Sequence, residues 1–389
     1  MDTKTLLTTL ARLTRGPARR SGLQPGRTTA EAASPTNDVD ALPVTEEAVR
    51  WALRLLIGRE PVNEAEIRLH QSNATLGDLR TVFMGTPEFA ELLRAVAGEE
   101  PQFLIPPFLL RRPSNPSIPW RSGQPDLDDP VSQLCSAAQF DTPSFGEVIA
   151  AMRLHPARHR KLWEHVYIVS VLRREGLLTA GRRAIVFGCG RERIPAYLAR
   201  HGVEVLATDA PPDESNNQGW ASTAQYAAQA ADLYVNGLLP REEFDRLVSF
   251  RPVDMNAIPA DLDGQFDACW STCSLEHLGS LKHGLDFIES SLAVLRPGGI
   301  AVHTTEFNLG SNDKTLESPG LSVYRRRDIE ELAARLVAQG HDVLPLNFHP
   351  GDEQLDEVID VPPYGEPHLK LKVQDMTCTS IGFAVRRAA

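Results

Sequence analysis

Three kinds of residue pattern are missing from this 389-residue chain, and each absence closes a class of function. Cysteine is scarce. Cys135, Cys189, Cys269, Cys273 and Cys378 are scattered, odd in number and form no C-x-x-C pair. That excludes a disulfide framework and points to a reducing compartment, which places the chain in the cytoplasm. Positive charge is in deficit, with a formal net charge of −11. Broad binding to a phosphate backbone needs a basic surface, so no nucleic-acid partner is expected. Long apolar runs are absent too. None approaches the ~18 residues of a membrane-spanning helix. What remains is ordinary globular composition, 42% hydrophobic and 23% charged, with length for one large domain and a smaller one.

The front of the chain reads in segments. Residues 1–40 hold little to bury and are expected to be a disordered tail. Lys4, Arg12, Arg15, Arg19, Arg20 and Arg27 stand against Asp2 alone, the composition of a transit peptide or of a solvated basic tail. Residues 41–97 read as a small helical module. Thr45-Glu46-Glu47 is a helix start, and Val49, Leu53, Leu55 and Leu56 lie near one face. Residues 98–130 read as a linker, because Pro106, Pro107, Pro113, Pro116, Pro119, Pro125 and Pro130 forbid long helices. Helix returns over 131–177, where Trp163, Val166, Tyr167 and Leu172 line a face just ahead of the first strand. The segment 131–389 is expected to form one domain.

Within that domain strands alternate with helices. Strands are expected near 184–188, 204–208, 247–252, 266–270, 299–305, 342–347 and 378–386. Helices are expected near 192–201, 222–236, 276–295 and 327–339. The pattern predicts a doubly wound α/β fold: a mostly parallel seven-stranded sheet with helices on both faces. In such a sheet a ligand lies across the carboxyl ends of the strands. The last strand follows the sixth with no helix between them, which predicts an antiparallel return.

The first strand runs into Gly188-Cys189-Gly190, where a side chain would block close approach of backbone to a ligand. The second ends at Asp209, and Asp254 and Met255 follow the third. The fourth supplies Cys269, Trp270 and Ser271, followed by Leu275-Glu276-His277 and, later, the turn Leu295-Arg296-Pro297-Gly298-Gly299. This order of elements and motifs resembles the class I S-adenosylmethionine-dependent methyltransferases. The resemblance implies a Rossmann-like fold, S-adenosylmethionine as cofactor, and a lead-in helix covering it. It implies that Gly188 and Gly190 cradle the cofactor and that Asp209 accepts from the ribose hydroxyls. Asp254 would accept from the adenine amino group, with Met255 beside the ring and Trp270 on the cofactor side. The chain departs from the family at Val186, where an acid is usual, and at Glu192, where a third glycine is usual. Glu192 either supplies the missing negative charge to the cofactor's ammonium or complements the dipole of the following helix.

For catalysis the candidates are His277, which the resemblance turns toward the donor methyl, and His303 and Glu306 at the end of the fifth strand. Each is able to take a proton from an attacking hydroxyl. The three show no tight ligand spacing, so no metal is expected. Residues Trp51 to Phe89 resemble a short helical module found beside enzymes of bacterial surface-polysaccharide synthesis. That resemblance implies a sugar hydroxyl of a cell-surface glycan or its precursor as acceptor, and an association with glycan-synthesis enzymes. Two other readings stand beside this one. A nicotinamide-binding domain also has an acid about 20 residues after a glycine turn, but it expects a third glycine. A non-catalytic cofactor-binding or scaffold protein would tolerate the altered turn.

Overall fold

The computed structural model describes residues 39–89, 92, 102–211, 226–362 and 364–389, so the expected tail 1–40 lies outside the described residues apart from Val39 and Asp40, which open a 3-10 turn, Val39–Ala41. Two compact units share the chain. The smaller takes residues 61–81 and those before Ala52, the larger 52–60 and everything from Val82 onward. In the smaller, α1 (Glu46–Ala52) starts where the Thr45 hydroxyl accepts from the Ala48 amide at 3.1 Å. Helix α2 (Glu64–Gln71) is capped by Asn63, whose side chain accepts from the amides of Ala65 and Glu66. Helix α3 (Leu76–Met84) follows. Val49, Ile67, Leu79 and Phe83 are buried apolar side chains of these helices.

The larger unit is built on one sheet. Its strands are β1 (Ser132–Leu134), β2 (Arg183–Phe187), β3 (Glu204–Asp209), β4 (Val248–Pro252), β5 (Phe266–Thr272), β6 (Leu295–Asn308), β7 (Asp342–Val343), β8 (Leu346–Asn347), β9 (Leu371–Val373) and β10 (Met376–Arg386). The order is β4-β3-β2-β5-β6-β10-β1-β8, with β7 and β9 also on β10. Strands β4 to β6 run parallel, and β10 returns antiparallel beside β6. The Rossmann-like sheet and its antiparallel last strand are therefore as the sequence predicts. The additions are short edge strands, and the expected strand at 342–347 divides into β7 and β8. The Pro-Gly-Gly segment forms an irregular start to β6, between the pairs Phe266–Leu295 and Ala268–Ile300. The expected helix over 222–236 begins outside the described residues, and within them only a 3-10 turn forms, Ala230–Leu233.

Helices cover both faces: α4 (Pro107–Leu110), α5 (Pro143–Ala151), α6 (Arg160–Arg174), α7 (Ile194–Arg200), α8 (Arg241–Leu247), α9 (Leu281–Ser291) and α10 (Arg326–Ala338). The proline-rich stretch packs on this unit, with Leu109 and Ile118 buried and Trp120 bridged to Leu346. The pleat sorts the strand residues between two cores. Val186, Trp270, Val302 and Ala384 pack with Trp163 and Tyr167 of α6. Ile185, Cys269, Ala301 and Ile381 pack with Phe287 of α9. Gly382 sets the height of α6 above the sheet, because a Cβ there would lie 2.1 Å from the Tyr167 ring. That close approach brings the first turn of α6 to the carboxyl ends of the strands.

Candidate active site

A cleft of about 800 Å³ opens at those strand ends. Its floor is the turn after β2. Gly188 and Gly190 have φ of +62° and +48°, the left-handed region that glycine enters without strain. A Cβ on Gly188 would also meet the Ser274 hydroxyl at 2.6 Å and the Met255 sulfur at 3.4 Å. Asp209, at the end of β3, braces the turn. Its Oδ2 accepts from the Gly190 amide at 3.0 Å and its Oδ1 from the Ala210 amide at 2.9 Å. Burial raises its pKa, against the pull of these amides. Asp254 and Met255, in the loop after β4, line the same cleft. Asp254 accepts from the Asn256 amide at 2.8 Å, which fixes the loop.

Glu192 also lines the cleft and is buried. Its two oxygens accept from Trp270 Nε1 at 2.7 Å and the Thr272 hydroxyl at 2.6 Å. Burial pushes its pKa up to about 7, against these two hydrogen bonds. The carboxylate therefore titrates near neutrality. Trp270 is fully buried and holds Glu192 from behind; it is not among the lining residues.

The other end of the cleft holds a charged cluster. The His159 side chain accepts from the Lys161 amide and starts α6, so Arg160, Lys161, Glu164 and His165 occupy its first turns. Arg160 Nη2 lies 2.6 Å from Glu306 Oε1, and Lys161 Nζ lies 3.4 Å from Glu164 and 3.5 Å from Glu306. Burial opposes the Arg160 charge, but Glu306 and the other acids raise its pKa above the usual value. Glu164 is fully buried, and Lys161 and Arg160 still bring its pKa below the usual value. Glu276 accepts from the Thr305 hydroxyl at 3.0 Å, and burial raises its pKa.

His277 ends the 3-10 turn after β5 and faces the cleft. Its Nδ1 lies 2.7 Å from the Gly320 carbonyl oxygen. A carbonyl only accepts, so the neutral ring carries its proton on Nδ1 and its lone pair on Nε2. Nε2 lies 3.9 Å from Glu276. His303 is elsewhere. It stands three positions before Glu306, an odd offset, so the pleat sends the two to opposite faces. Its ring is buried against Phe287, with Nδ1 2.8 Å from the Ser271 hydroxyl and Nε2 3.2 Å from that of Ser291. Burial pushes its pKa down to about 3.

The cleft thus brings together Gly188, Gly190, Glu192, Asp209, Asp254, Met255, His277 and Glu306, and it omits Trp270 and His303. Sequence reasoning missed Arg160, Lys161, Glu164 and His165. A signal was present: Glu164 and His165 interrupt the apolar run from Trp163 to Leu172.

A family model described as "Methyltransferase domain" matches residues 185–303, which run from β2 into β6. This stretch, under a third of the chain, is similar to a methyltransferase domain. Its cofactor is S-adenosylmethionine. The residues fit that group: a cradle that a Cβ would fill, an acid at the end of β3, and a thioether and a second acid after β4. No curated protein matches the chain in sequence. Solved structures similar to this chain include the Synechocystis PCC 6803 magnesium protoporphyrin IX methyltransferase with bound SAH. It is 12% identical, covers 58% of this chain and 82% of its own, and has a TM-score of 0.34. The 1,6-didemethyltoxoflavin-N1-methyltransferase of Burkholderia thailandensis is 16% identical over 62% of this chain and 79% of its own, with a TM-score of 0.34. A Galdieria sulphuraria protein described as a sarcosine dimethylglycine methyltransferase is 18% identical over 46% of this chain, with a TM-score of 0.32; the match spans 60% of that protein. Values this low say nothing about acceptor or residue roles. Among the described residues no helix is long and apolar enough to cross a membrane.

Proposed function

We propose that the protein O-methylates a hydroxyl of a small polar acceptor, a sugar hydroxyl of a cell-surface glycan or its precursor, in the cytoplasm. The observation that carries this reading is the continuity of the cleft. One end holds Gly188, Asp209, Asp254 and Met255; the other holds His277, Glu306 and the α6 cations. S-adenosylmethionine supplies an already activated methyl group on a sulfonium sulfur, so the protein's work is alignment, exclusion of water and removal of a proton. Asp209 takes the ribose, Asp254 the adenine amino group, and ionised Glu192 the ammonium that the missing acid at Val186 would otherwise hold.

The acceptor hydroxyl lies between Glu306 and His277. Glu306 Oε1 is held by Arg160, and its Oε2 has no hydrogen-bond partner, which leaves an acceptor site for a substrate hydroxyl. His277 Nε2 would take the acceptor hydroxyl's proton, and the Gly320 carbonyl holds the ring in the tautomer this requires. Leu321, Val323, Leu371 and Val373 give the acceptor apolar walls. The five cysteines are all free thiols, which supports the cytoplasmic location. The glycan acceptor and an association with glycan-synthesis enzymes rest on the resemblance of residues 51–89.

The test is transfer from methyl-labelled S-adenosylmethionine into a glycan-precursor extract. Label recovered as a methyl ether, and lost with His277→Ala, supports the reading. Label on nitrogen or carbon, or no transfer, overturns it.

A further inference from the structure

The fold gathers at the acceptor end three donors that are scattered in sequence. Cys273 Sγ and one carboxylate oxygen each of Glu276 and Glu306 all lie within 4.8 Å of one another. Cys273 and Glu276 follow β5, and Glu306 stands near the end of the neighbouring β6. We propose that Cys273, Glu276 and Glu306 bind a divalent transition-metal ion of the zinc class, with the cleft leaving room for an acceptor oxygen as a further ligand.

Four observations converge on this assignment. The first is the orphaned Oε2 of Glu306, on a side chain only 9% exposed, which lines the cleft and finds no hydrogen-bond partner. Such a buried oxygen is destabilising unless something pairs with it. The second is backbone. Cys273 has φ of +43°, rare for a residue with a Cβ, and two contacts hold it there: its amide donates to the Thr304 carbonyl at 3.1 Å and the Thr304 hydroxyl at 3.2 Å. Strain maintained in this way aims the thiol into the cleft.

The third is access. Cys273, Glu276 and Glu306 all line the cleft, so an ion entering it reaches each of the three side chains. The fourth is support behind the donors. Glu276 is held by the Thr305 hydroxyl and Glu306 by Arg160, the outer contacts that orient carboxylate ligands. The Cys273 thiol donates to Glu164 at 3.1 Å, and Arg160, Lys161 and the Ser380 hydroxyl hold that carboxylate in place while the sulfur turns to an ion.

The donor set selects the metal. Thiolate with carboxylates suits zinc and its neighbours, whereas magnesium and calcium take oxygen alone. Tetrahedral bonds of about 2.0–2.3 Å place donors roughly 3.5 Å apart, so the side chains need to close by only about 1 Å.

The site shares the cleft and Glu306 Oε2 with the methyl-transfer reading: with the ion bound, the acceptor oxygen meets the ion in place of that carboxylate oxygen, and ion binding itself does not depend on methyl transfer. The experiment titrates the full-length protein, stripped with chelator, with Zn²⁺ against a chromophoric chelator and with Co²⁺ by absorbance. S-adenosylmethionine binding is measured on the same samples by calorimetry. Expected are one zinc per chain and a near-ultraviolet thiolate-to-cobalt band. Cys273→Ser abolishes the band, and Glu306→Gln weakens zinc binding by more than the ~10–100-fold that loss of an outer-shell partner costs. No cobalt band in the wild type, or an unchanged band in Cys273→Ser, overturns the metal site. The calorimetry reports separately on the cofactor reading, because its residues, Asp209 and Gly188, are not donors here.

Discussion

Glu192→Gln isolates one charge at the heart of the site. Glutamine keeps the shape of the side chain. Its amide oxygen accepts from Trp270 Nε1, and its NH2 donates to the Thr272 hydroxyl, which turns to accept, so both contacts of the carboxylate survive. The change therefore removes ionisation and little else. Burial raises the folded-state pKa from 4.5 to about 7. A raised acid favours the folded state when protonated, so its contribution is fully present below pH ~4.5 and is lost as pH rises through ~7. A shift of this size corresponds to about 3 kcal/mol, lost by the wild type between pH ~4.5 and ~8 and absent from the variant. Urea unfolding of both proteins across that range measures the difference directly. The cofactor reads the same group in the opposite direction. Ionised Glu192 attracts the ammonium, so the wild-type to variant affinity ratio for S-adenosylmethionine rises from pH 6 to 8. The ratio is read where the cofactor's own amine stays protonated, because only ionised Glu192 distinguishes the charged form. Parallel stability curves and a flat affinity ratio would refute both the buried, near-neutral carboxylate and its role.

Asp209→Ala removes a charged acceptor and should weaken S-adenosylhomocysteine binding by about 1.5–3 kcal/mol, read by calorimetry. Gly188→Ala places a Cβ 2.6 Å from the Ser274 hydroxyl at φ +62°, so both the melting temperature and cofactor affinity should fall. His277→Ala should keep cofactor affinity, read by calorimetry, and lose roughly 10²–10⁴-fold in turnover. His303→Ala opens a buried gap between β6 and α9, so it should lower stability, measured by urea unfolding, while folded protein keeps its turnover.

The sheet was legible because its strands are apolar and bounded by turn residues. Ala184 to Phe187 ahead of Gly188, and Val205 to Thr208 ahead of Asp209, carry both the strand and the position of its functional end. The short strands β1, β8 and β9 were less legible, since two or three residues hold no periodicity and form only because β10 and β1 offer them edges. The two ends of the cleft differ in the same way. The cofactor end lies where strands β2, β3 and β4 stop, so local motifs mark it. The acceptor end draws Arg160 and Glu164 from a helix, Cys273 and Glu276 from the segment after β5, and Glu306 from β6. The pairing of β5 with β6 brings the last three together, and the packing of α6 over Gly382 adds the helix's charges. His303 shows what a purely sequential reading overlooks: it sits in the same polar run as Glu306, and the two-residue period of the strand turns it toward α9.

A crystal structure with S-adenosylhomocysteine tests the central claim most directly. The account predicts the ribose hydroxyls on Asp209, the adenine amino group on Asp254 with Met255 beside the ring, the ammonium toward Glu192, and the sulfur facing His277 and Glu306. A nucleoside lying elsewhere, or one whose sulfur points away from His277 and Glu306, would contradict it.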